Sequence, residues 1–365
     1  MHFRCTKEDL LSSLTPAASV VESRQTLPIL GHLHVDAGEG ALSLTGTDLE
    51  VELKAGCPAE VEEAGQATVP ARKFLDIVRS LPEGTTVEVN RQDDRVKVVA
   101  GRGRFNLAGL EPEEFPRLEL GEQQNQVALP QAALKALLER TSFAMARDDV
   151  RYYLNGILLE WTATNLRAVA TDGHRLALMD REVAEAPEEI RVILPRKGVQ
   201  ELERLLADTE DPISLAFTSN HVRFELPGVT FTTKLIEGRF PDYRRVIPEP
   251  DGNHLVADRK ALLQALRRIA ILSNRKTHGI RLAPGAGVLE LSAENPDQEQ
   301  ASEEVPVTYD GDPTEIGFNV EYLQQAVGAV PTEEVVLHLW DPQSSCLIVP
   351  PDDSTVKYVI MPMRL

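Results

Sequence analysis

The 365-residue sequence predicts an α+β protein with three similar domains per chain and largely antiparallel sheets. A repeat is the first ground. Leu42-Ser43-Leu44-Thr45-Gly46-Thr47-Asp48-Leu49 recurs in outline as Leu166-Arg167-Ala168-Val169-Ala170-Thr171-Asp172-Gly173, and more faintly as Leu289-Glu290-Leu291-Ser292-Ala293-Glu294-Asn295-Pro296. The offsets are 124 residues from Asp48 to Asp172 and 123 from Asp172 to Asn295. A second marker keeps the same period: Val69-Pro70-Ala71-Arg72-Lys73 matches Leu194-Pro195-Arg196-Lys197-Gly198, then Phe318-Asn319-Val320. Two independent markers with one period indicate three copies of a unit that fills the chain. The third ground is the order inside each copy, where a helix-spaced stretch followed by strand-like runs occurs twice.

The copies run 1–124, 125–250 and 251–365. Their joins are polar or turn-rich: Gly121-Glu122-Gln123-Gln124-Asn125-Gln126, and Pro248-Glu249-Pro250-Asp251-Gly252-Asn253. Each first half opens with a short strand and then a helical pattern, at Lys7–Val21, Gln131–Ala146 and Asp258–Leu272. In the last of these, Leu262, Leu263, Leu266, Ile269 and Ala270 keep helical spacing. Strand-like runs such as Ile157–Thr162 and Leu166–Thr171 follow. The second halves repeat this with helices near Arg72–Arg79, Arg196–Leu206 and Asn319–Val330, then strands such as Thr86–Val89 and Val96–Val99. The helices are too few for a doubly wound α/β sheet.

Composition excludes several classes. Hydrophobic residues make up 42% and charged residues 26%, so global disorder is not expected. No run approaches the ~20 apolar residues that span a bilayer. The start, Met1-His2-Phe3-Arg4-Cys5-Thr6-Lys7-Glu8-Asp9, becomes charged before an apolar core builds up and does not read as a secretory signal. Cys5, Cys57 and Cys346 are odd in number, far apart and without a CxxC pair. That pattern argues against a disulfide framework or thiolate metal site and fits a reducing cytosol. A cytoplasmic protein with no metal, cofactor or membrane partner is expected.

The net charge of −19 would argue against nucleic acid if it were spread evenly. It is sorted instead. Stretches 7–24, 71–80, 131–147, 196–207, 258–276 and 319–330 hold 17 Lys and Arg against 9 Asp and Glu, while the remainder carries a net −27. Helices accept Glu as readily as Lys, so propensity does not explain the scarcity of Glu. The sorting suggests one surface for a polyanion and another that repels it. Stretch 319–330 has neither Lys nor Arg, so such a surface would be unevenly charged.

The most enzyme-like constellation is Asp172-Gly173-His174-Arg175, from which an acidic hydrolase or transferase could use Asp172 and His174. No nucleophile or further ligand accompanies the pair, and no HExxH, GxSxG or P-loop occurs. Gly101-Arg102-Gly103-Arg104 lacks the third glycine and the strand-to-helix context of a dinucleotide loop. No catalytic residue is expected.

Several longer motifs carry a resemblance: Arg24-Gln25-Thr26-Leu27-Pro28-Ile29-Leu30, Leu44-Thr45-Gly46-Thr47-Asp48-Leu49-Glu50, Arg151-Tyr152-Tyr153-Leu154-Asn155-Gly156, Ala170-Thr171-Asp172-Gly173-His174-Arg175-Leu176, Glu237-Gly238-Arg239-Phe240-Pro241-Asp242-Tyr243-Arg244-Arg245-Val246, and Tyr358-Val359-Ile360-Met361-Pro362-Met363-Arg364-Leu365. The chain resembles, end to end, the bacterial sliding clamps, the beta subunits of DNA polymerase III. The resemblance implies a DNA-clamp fold. Two chains would close a ring of six domains, with helices lining a central hole and antiparallel sheets outside. Such a ring is a non-enzymatic processivity factor that encircles duplex DNA without reading its sequence. The implied partners are a second copy of the chain, the polymerase III alpha subunit, the clamp loader, and other polymerases, ligase and mismatch-repair proteins that carry clamp-binding motifs.

The resemblance also implies site residues. A peptide-docking groove would comprise Leu154, Thr171, Gly173, His174, Arg175, Leu176, Pro241, Arg245, Val246, Ile247, Ser345, Val359, Met361 and Met363. Its apolar floor would come from residues such as Leu176, Val246, Val359 and Met361, with His174, Arg175 and Ser345 as polar anchors. Methionine adapts to varied apolar partners, and Met361 and Met363 would share one face of a strand. Gln343 stands where the family often has an aliphatic residue, which implies a more polar rim. DNA contacts are implied for Arg24, Arg72, Lys73, Tyr152, Tyr153, Arg196 and Lys197, with Asp148 replacing a usual neutral donor nearby. At the subunit contact, Arg102, Arg104, Phe105 and Leu107 of one chain would face Ile271, Leu272, Glu299, Glu303 and Glu304 of the other.

Overall fold

The computed structural model describes residues 1–22, 27–118, 121–122, 125–183, 189–250 and 252–364. Six α-helices occur among them: α1 (Lys7–Ser19), α2 (Ala71–Ser80), α3 (Gln131–Thr141), α4 (Arg196–Leu205), α5 (Arg259–Ile269) and α6 (Val320–Ala329). All recorded strand pairings are antiparallel. Among the described residues, no helix is long and apolar enough to cross a membrane, and no group of three or more His, Cys, Asp or Glu could hold a metal ion.

Both repeat markers have a local physical cause. The Thr-Asp marker is a turn closed by its own side chains. Asp48 Oδ1 accepts from the Glu50 and Val51 amides at 2.9 and 2.8 Å, and Thr47 Oγ1 donates to the Val51 carbonyl at 2.7 Å. In the second copy, Asp172 Oδ1 accepts from the His174 and Arg175 amides at 2.9 and 3.1 Å, and Thr171 Oγ1 donates to the Arg175 carbonyl at 2.6 Å. The other marker is a strand-to-helix junction: strands end at Pro70, Pro195 and Asn319, and α2, α4 and α6 start at the next residue. Proline suits a helix entrance because it donates no amide hydrogen, and Asn319 caps α6 by accepting from the Glu321 and Tyr322 amides.

The chain divides into two compact units, and neither is one copy of the repeat. Residues 1–132 and 200–235 form one, residues 133–199 and 236–365 the other. The division follows sheets that pass from one copy to the next. In the first unit a five-stranded sheet runs in the order Glu60–Glu63, His2–Thr6, Thr86–Gln92, Arg95–Ala100, Gly103–Ala108. Its eight-stranded sheet joins copies where Val51–Ala55 pairs with Val229–Thr233. In the second unit a twelve-stranded sheet joins copies where Arg175–Met179 pairs with Val356–Ile360. These junctions are equivalent: Phe231 faces Leu53 in one, and Tyr358 faces Ala177 in the other.

Helix α6 has no basic residue of its own but receives arginines from neighbouring elements of its unit. Arg140 donates to the Ala329 carbonyl at 2.7 Å, and Arg259 donates to the Gly328 carbonyl at 3.5 Å. Cations at a helix C-terminus satisfy orphan carbonyls and oppose the macrodipole. Part of the basic charge sorted onto helices therefore serves the fold.

Candidate functional site

The candidate site lies in the second unit, on the sheet face carried by the junction strands. Beneath it a core cluster includes Leu158, Val169, Leu176, Leu178, Ile193, Phe240, Leu347 and Val359. Above it lies a cavity of about 210 Å³. Strand alternation puts Leu176 and Val359, directly opposite one another in register, on its floor. The 171–175 turn supplies Thr171, Gly173, His174 and Arg175. The segment around Pro241–Val246 forms another wall, with Ser345 and Met361 completing the rim. Val246 and Met361 leave about half of their surface exposed. A small apolar recess with a few polar edges suits a short peptide anchored by apolar side chains.

Eleven of the fourteen expected groove residues line this cavity: Leu154, Thr171, Gly173, His174, Arg175, Leu176, Pro241, Val246, Ser345, Val359 and Met361. Three do not. Arg245 points outward, 84% exposed, and pairs with Asp242 at 2.9 Å. Ile247 lines a neighbouring cavity with Leu178, Leu347 and Val349. Met363 does not share a strand face with Met361, because the strand ends at Ile360. The Met363 amide instead donates to the Gly317 carbonyl at 2.9 Å. Gln343 is exposed, and its backbone N–H donates to Asp341 Oδ1 at 2.7 Å.

Arg151, Tyr153, Asp242 and Tyr243 also line the cavity. Arg151 and Tyr153 stand in a motif singled out above for its tyrosines, and Asp242 and Tyr243 lie inside the Glu237–Val246 motif, but only packing reveals which side chains turn inward. Arg151 is held by Asp149, whose Oδ1 accepts from Nε at 3.0 Å and whose Oδ2 accepts from Nη2 at 2.8 Å. These bonds hold the Asp149 carboxyl down at about 2. Arg151 also explains Gly173. That residue has φ +89°, and a Cβ there would sit 3.3 Å from the Arg151 guanidinium. Tyr243 is buried; its hydroxyl donates to Glu160, and Arg167 donates to it at 3.1 Å.

The Asp172–His174 pair is not a catalytic dyad. Asp172 Oδ1 is taken by two turn amides and Oδ2 by Arg175 Nε at 3.0 Å, while the His174 side chain is exposed. Asp48 closes the same turn in the first copy, so the carboxylate is a turn device. Nor is Arg175 a free polar anchor, because its guanidinium is bound within the protein.

The first unit contains the same arrangement with different side chains. The Lys234 amide donates to the Glu50 carbonyl at 2.9 Å, as the Met361 amide does to the His174 carbonyl at 2.9 Å. Glu50, Glu52 and Lys234 stand where the groove has His174, Leu176 and Met361. Glu52 accepts from the Leu118 amide at 3.0 Å. Charge replaces apolar floor at that position.

Comparison with known proteins follows the same division into three. Sequence models of the DNA polymerase III beta subunit match at residues 1–119 for its N-terminal domain, 128–242 for its central domain and 244–364 for its C-terminal domain. The beta sliding clamp of Pseudomonas putida is 48% identical over 367 residues, covering 100% of both chains. That of Escherichia coli K12 is 45% identical over 366 residues, again covering 100% of both. A crystal structure of the Pseudomonas aeruginosa sliding clamp bound to griselimycin superposes with a TM-score of 0.96 at 46% identity, with 100% of each chain covered. This chain belongs to the DNA polymerase III beta subunit family. It is a sliding clamp by descent and fold, a processivity factor and not an enzyme.

The clamp's other expected residues are placed as follows. Arg24 lies outside the described residues. Arg72 and Lys73 are exposed in the first turn of α2, and Tyr152 is 74% exposed. Tyr153 turns into the groove. Arg196 is half-buried and donates to the Met145 and Ala146 carbonyls, both at 2.7 Å, so its guanidinium holds the loop after α3 in place. Lys197 is also half-buried, and Asp148 is exposed with φ +53°. On the expected subunit contact, Arg102 and Arg104 are exposed and Phe105 is half-buried, whereas Leu107 is already covered by its own chain. Ile271 is 77% exposed and Leu272 half-buried, in a 3-10 turn that follows α5. Glu303 is held by Arg268, Glu299 accepts from Asn295 at 2.6 Å, and Glu304 is exposed.

Proposed function

We propose that two copies of this clamp close a ring of six domains around duplex DNA, and that the groove of the second unit docks peptide segments of the proteins it tethers. The groove carries the reading: a recess of about 210 Å³ with an apolar floor, next to two exposed apolar side chains, Val246 and Met361. The occupants are the polymerase III alpha subunit, the clamp loader, and other polymerases, ligase and mismatch-repair proteins with a Gln and a following apolar pair. Work of this kind places the clamp in the cytoplasm. Tethering raises the effective concentration of polymerase at the primer end, so a modest groove affinity is sufficient.

The repeat supports closure. Two of the three possible sheet junctions form within the chain, and the third is left open on both sides. Gly103–Ala108 is the edge of its sheet. Gln300–Pro306 pairs with Val288–Glu294 on one side, while its other neighbour, Asn253–Asp258, meets it only at Val307–Tyr309. By equivalence with Phe231 on Leu53 and Tyr358 on Ala177, Phe105 of one copy would face Ala301 of a second. Ile271 would be covered nearby, and Arg102 and Arg104 would approach the acidic strand. Open edges left in this way are templates for pairing with another chain. DNA would be met through phosphates by exposed helix residues such as Arg72 and Lys73 in the first unit, and by Tyr152 and Lys197 in the second.

The test is binding of a fluorescent peptide carrying the Gln and apolar pair. Wild type should bind at roughly micromolar affinity, since a flexible peptide loses entropy on docking. Val246→Asp and Met361→Asp should each weaken binding at least tenfold without changing the melting temperature. Point changes suit this test better than truncation, because the Met361 and Met363 amides hold His174 and Gly317. Unchanged binding by both variants would place the docking site elsewhere.

A further inference from the structure

The third copy holds a recess at the place the groove occupies in the second. Strand register fixes the equivalence: Leu158 lies opposite Val169 and Ile193, and Arg281 lies opposite Ser292 and Gly317. The Met363 amide donates to the Gly317 carbonyl at 2.9 Å, as the Ile236 amide does to the Ile193 carbonyl at 2.9 Å. The recess measures about 330 Å³, and its liners Asn274, Thr277 and Glu294 stand 123 residues after Arg151, Leu154 and Thr171, which line the groove. Arg281, Ser292 and Arg364 line it too. In the first copy the same register holds His34, Thr45 and Thr68, but there His34 is buried against Phe115, with ring centroids 5.5 Å apart.

The frame is shared and the chemistry is reversed. The apolar trio Leu158, Val169 and Ile193 becomes Arg281, Ser292 and Gly317. Two arginines meet one glutamate, Glu294, in the lining, although the chain as a whole carries −19. Arg281 pairs with Glu315 at 3.1 Å, but the two side chains are 41% and 65% exposed, so the pair is weak and open to exchange. Apolar side chains gain little on such a floor, whereas a guanidinium fork fits a carboxylate. We infer that this recess is a second docking site, for an acidic peptide segment whose carboxylates pair with Arg281 and Arg364. The backbone frame that receives peptide in the second copy favours a peptide over a free anion, and that comparison rests on the peptide-docking reading of the groove.

The experiment titrates the full-length clamp with a fluorescent Gly-Glu-Glu-Gly peptide and with a Gly-Gln-Gln-Gly control. The acidic peptide should bind, more weakly as salt rises, and the control should not. Arg281→Leu combined with Ser292→Val installs the floor of the second copy and should weaken acidic-peptide binding about fivefold, as for the loss of one exposed charge pair. Thermal melting identifies a lost fold, in which case Arg364→Gln, a change at an exposed side chain, carries the same expectation. Excess peptide with the Gln and apolar pair should leave the acidic peptide bound. Displacement by that peptide would place the acidic one in the groove, displacement by duplex DNA would place it on the basic helices, and either result would overturn the inference. So would equal affinity in wild type and the folded variants. Failure of the groove reading is distinguishable, because it would show in the apolar peptide alone and leave the dependence on Arg281 intact.

Discussion

Replacing Ile271 by Ala tests ring closure most directly, because the side chain is 77% exposed in the single chain and has no folding role to lose. The change removes three carbons, and at about 0.8 kcal/mol per buried methylene each interface loses roughly 2 kcal/mol once the 77% exposed fraction is applied. A closed two-chain ring contains two such contacts, and both must break to give monomers. The dimer therefore loses about 4 kcal/mol, close to a thousandfold in its dissociation constant. Each chain should melt within about 0.5 kcal/mol of wild type, as for a surface substitution. Sedimentation across a concentration series should show monomer appearing at concentrations where wild type is wholly dimeric. A variant that stays dimeric at nanomolar concentration would remove Ile271 from the interface. It would also undermine the pairing of Phe105 with Ala301, since both follow from the same open junction.

Three further outcomes are expected. Gly173→Ala should cost about 1–2 kcal/mol of stability, because φ +89° is a left-handed conformation and the new Cβ meets Arg151 at 3.3 Å. Peptide binding should weaken with it, and an unaltered melting curve would show that the turn relaxes freely. The Asp149 carboxyl, depressed to about 2 by Arg151, contributes stability above its unfolded value of 3.8 that is lost only as pH falls toward 2. An NMR titration should therefore find Asp149 still ionised at pH 3, and a midpoint near 4 would mean that the pair with Arg151 does not persist in solution. Loader-free DNA binding should be weak, sequence-independent and steeply salt-dependent, and Arg72→Glu with Lys73→Glu should reduce the salt slope by about 2 without disturbing the dimer. Salt-insensitive binding, or preference for one base sequence, would contradict a phosphate-lined hole.

Local structure and repetition are readable along the chain without reference to its packing. The Thr-Asp turn and the strand-to-helix junction are closed by side chains a few residues away, so their recurrence near every 124 residues marks three copies without reference to packing. Helical spacing located the six α-helices of the described residues, because each buries one stripe of apolar residues. Most of the groove was legible too, through motifs that run along the junction strand and the Glu237–Val246 segment. Which side chains face the same space depends on how distant segments pack. Strand pairing across copies made two compact units from three repeats, since antiparallel ladders join residues well over a hundred positions apart, as at Phe231 and Leu53. The end of a strand at Ile360 separated Met363 from Met361, which an alternation rule had kept together. Partners distant in sequence turned Arg196 and Arg175 inward, toward carbonyls and α6, where composition alone leaves an arginine available to solvent or to a ligand. Local patterns record what a residue prefers, and the partner that uses it is supplied by chain brought close only in the folded state.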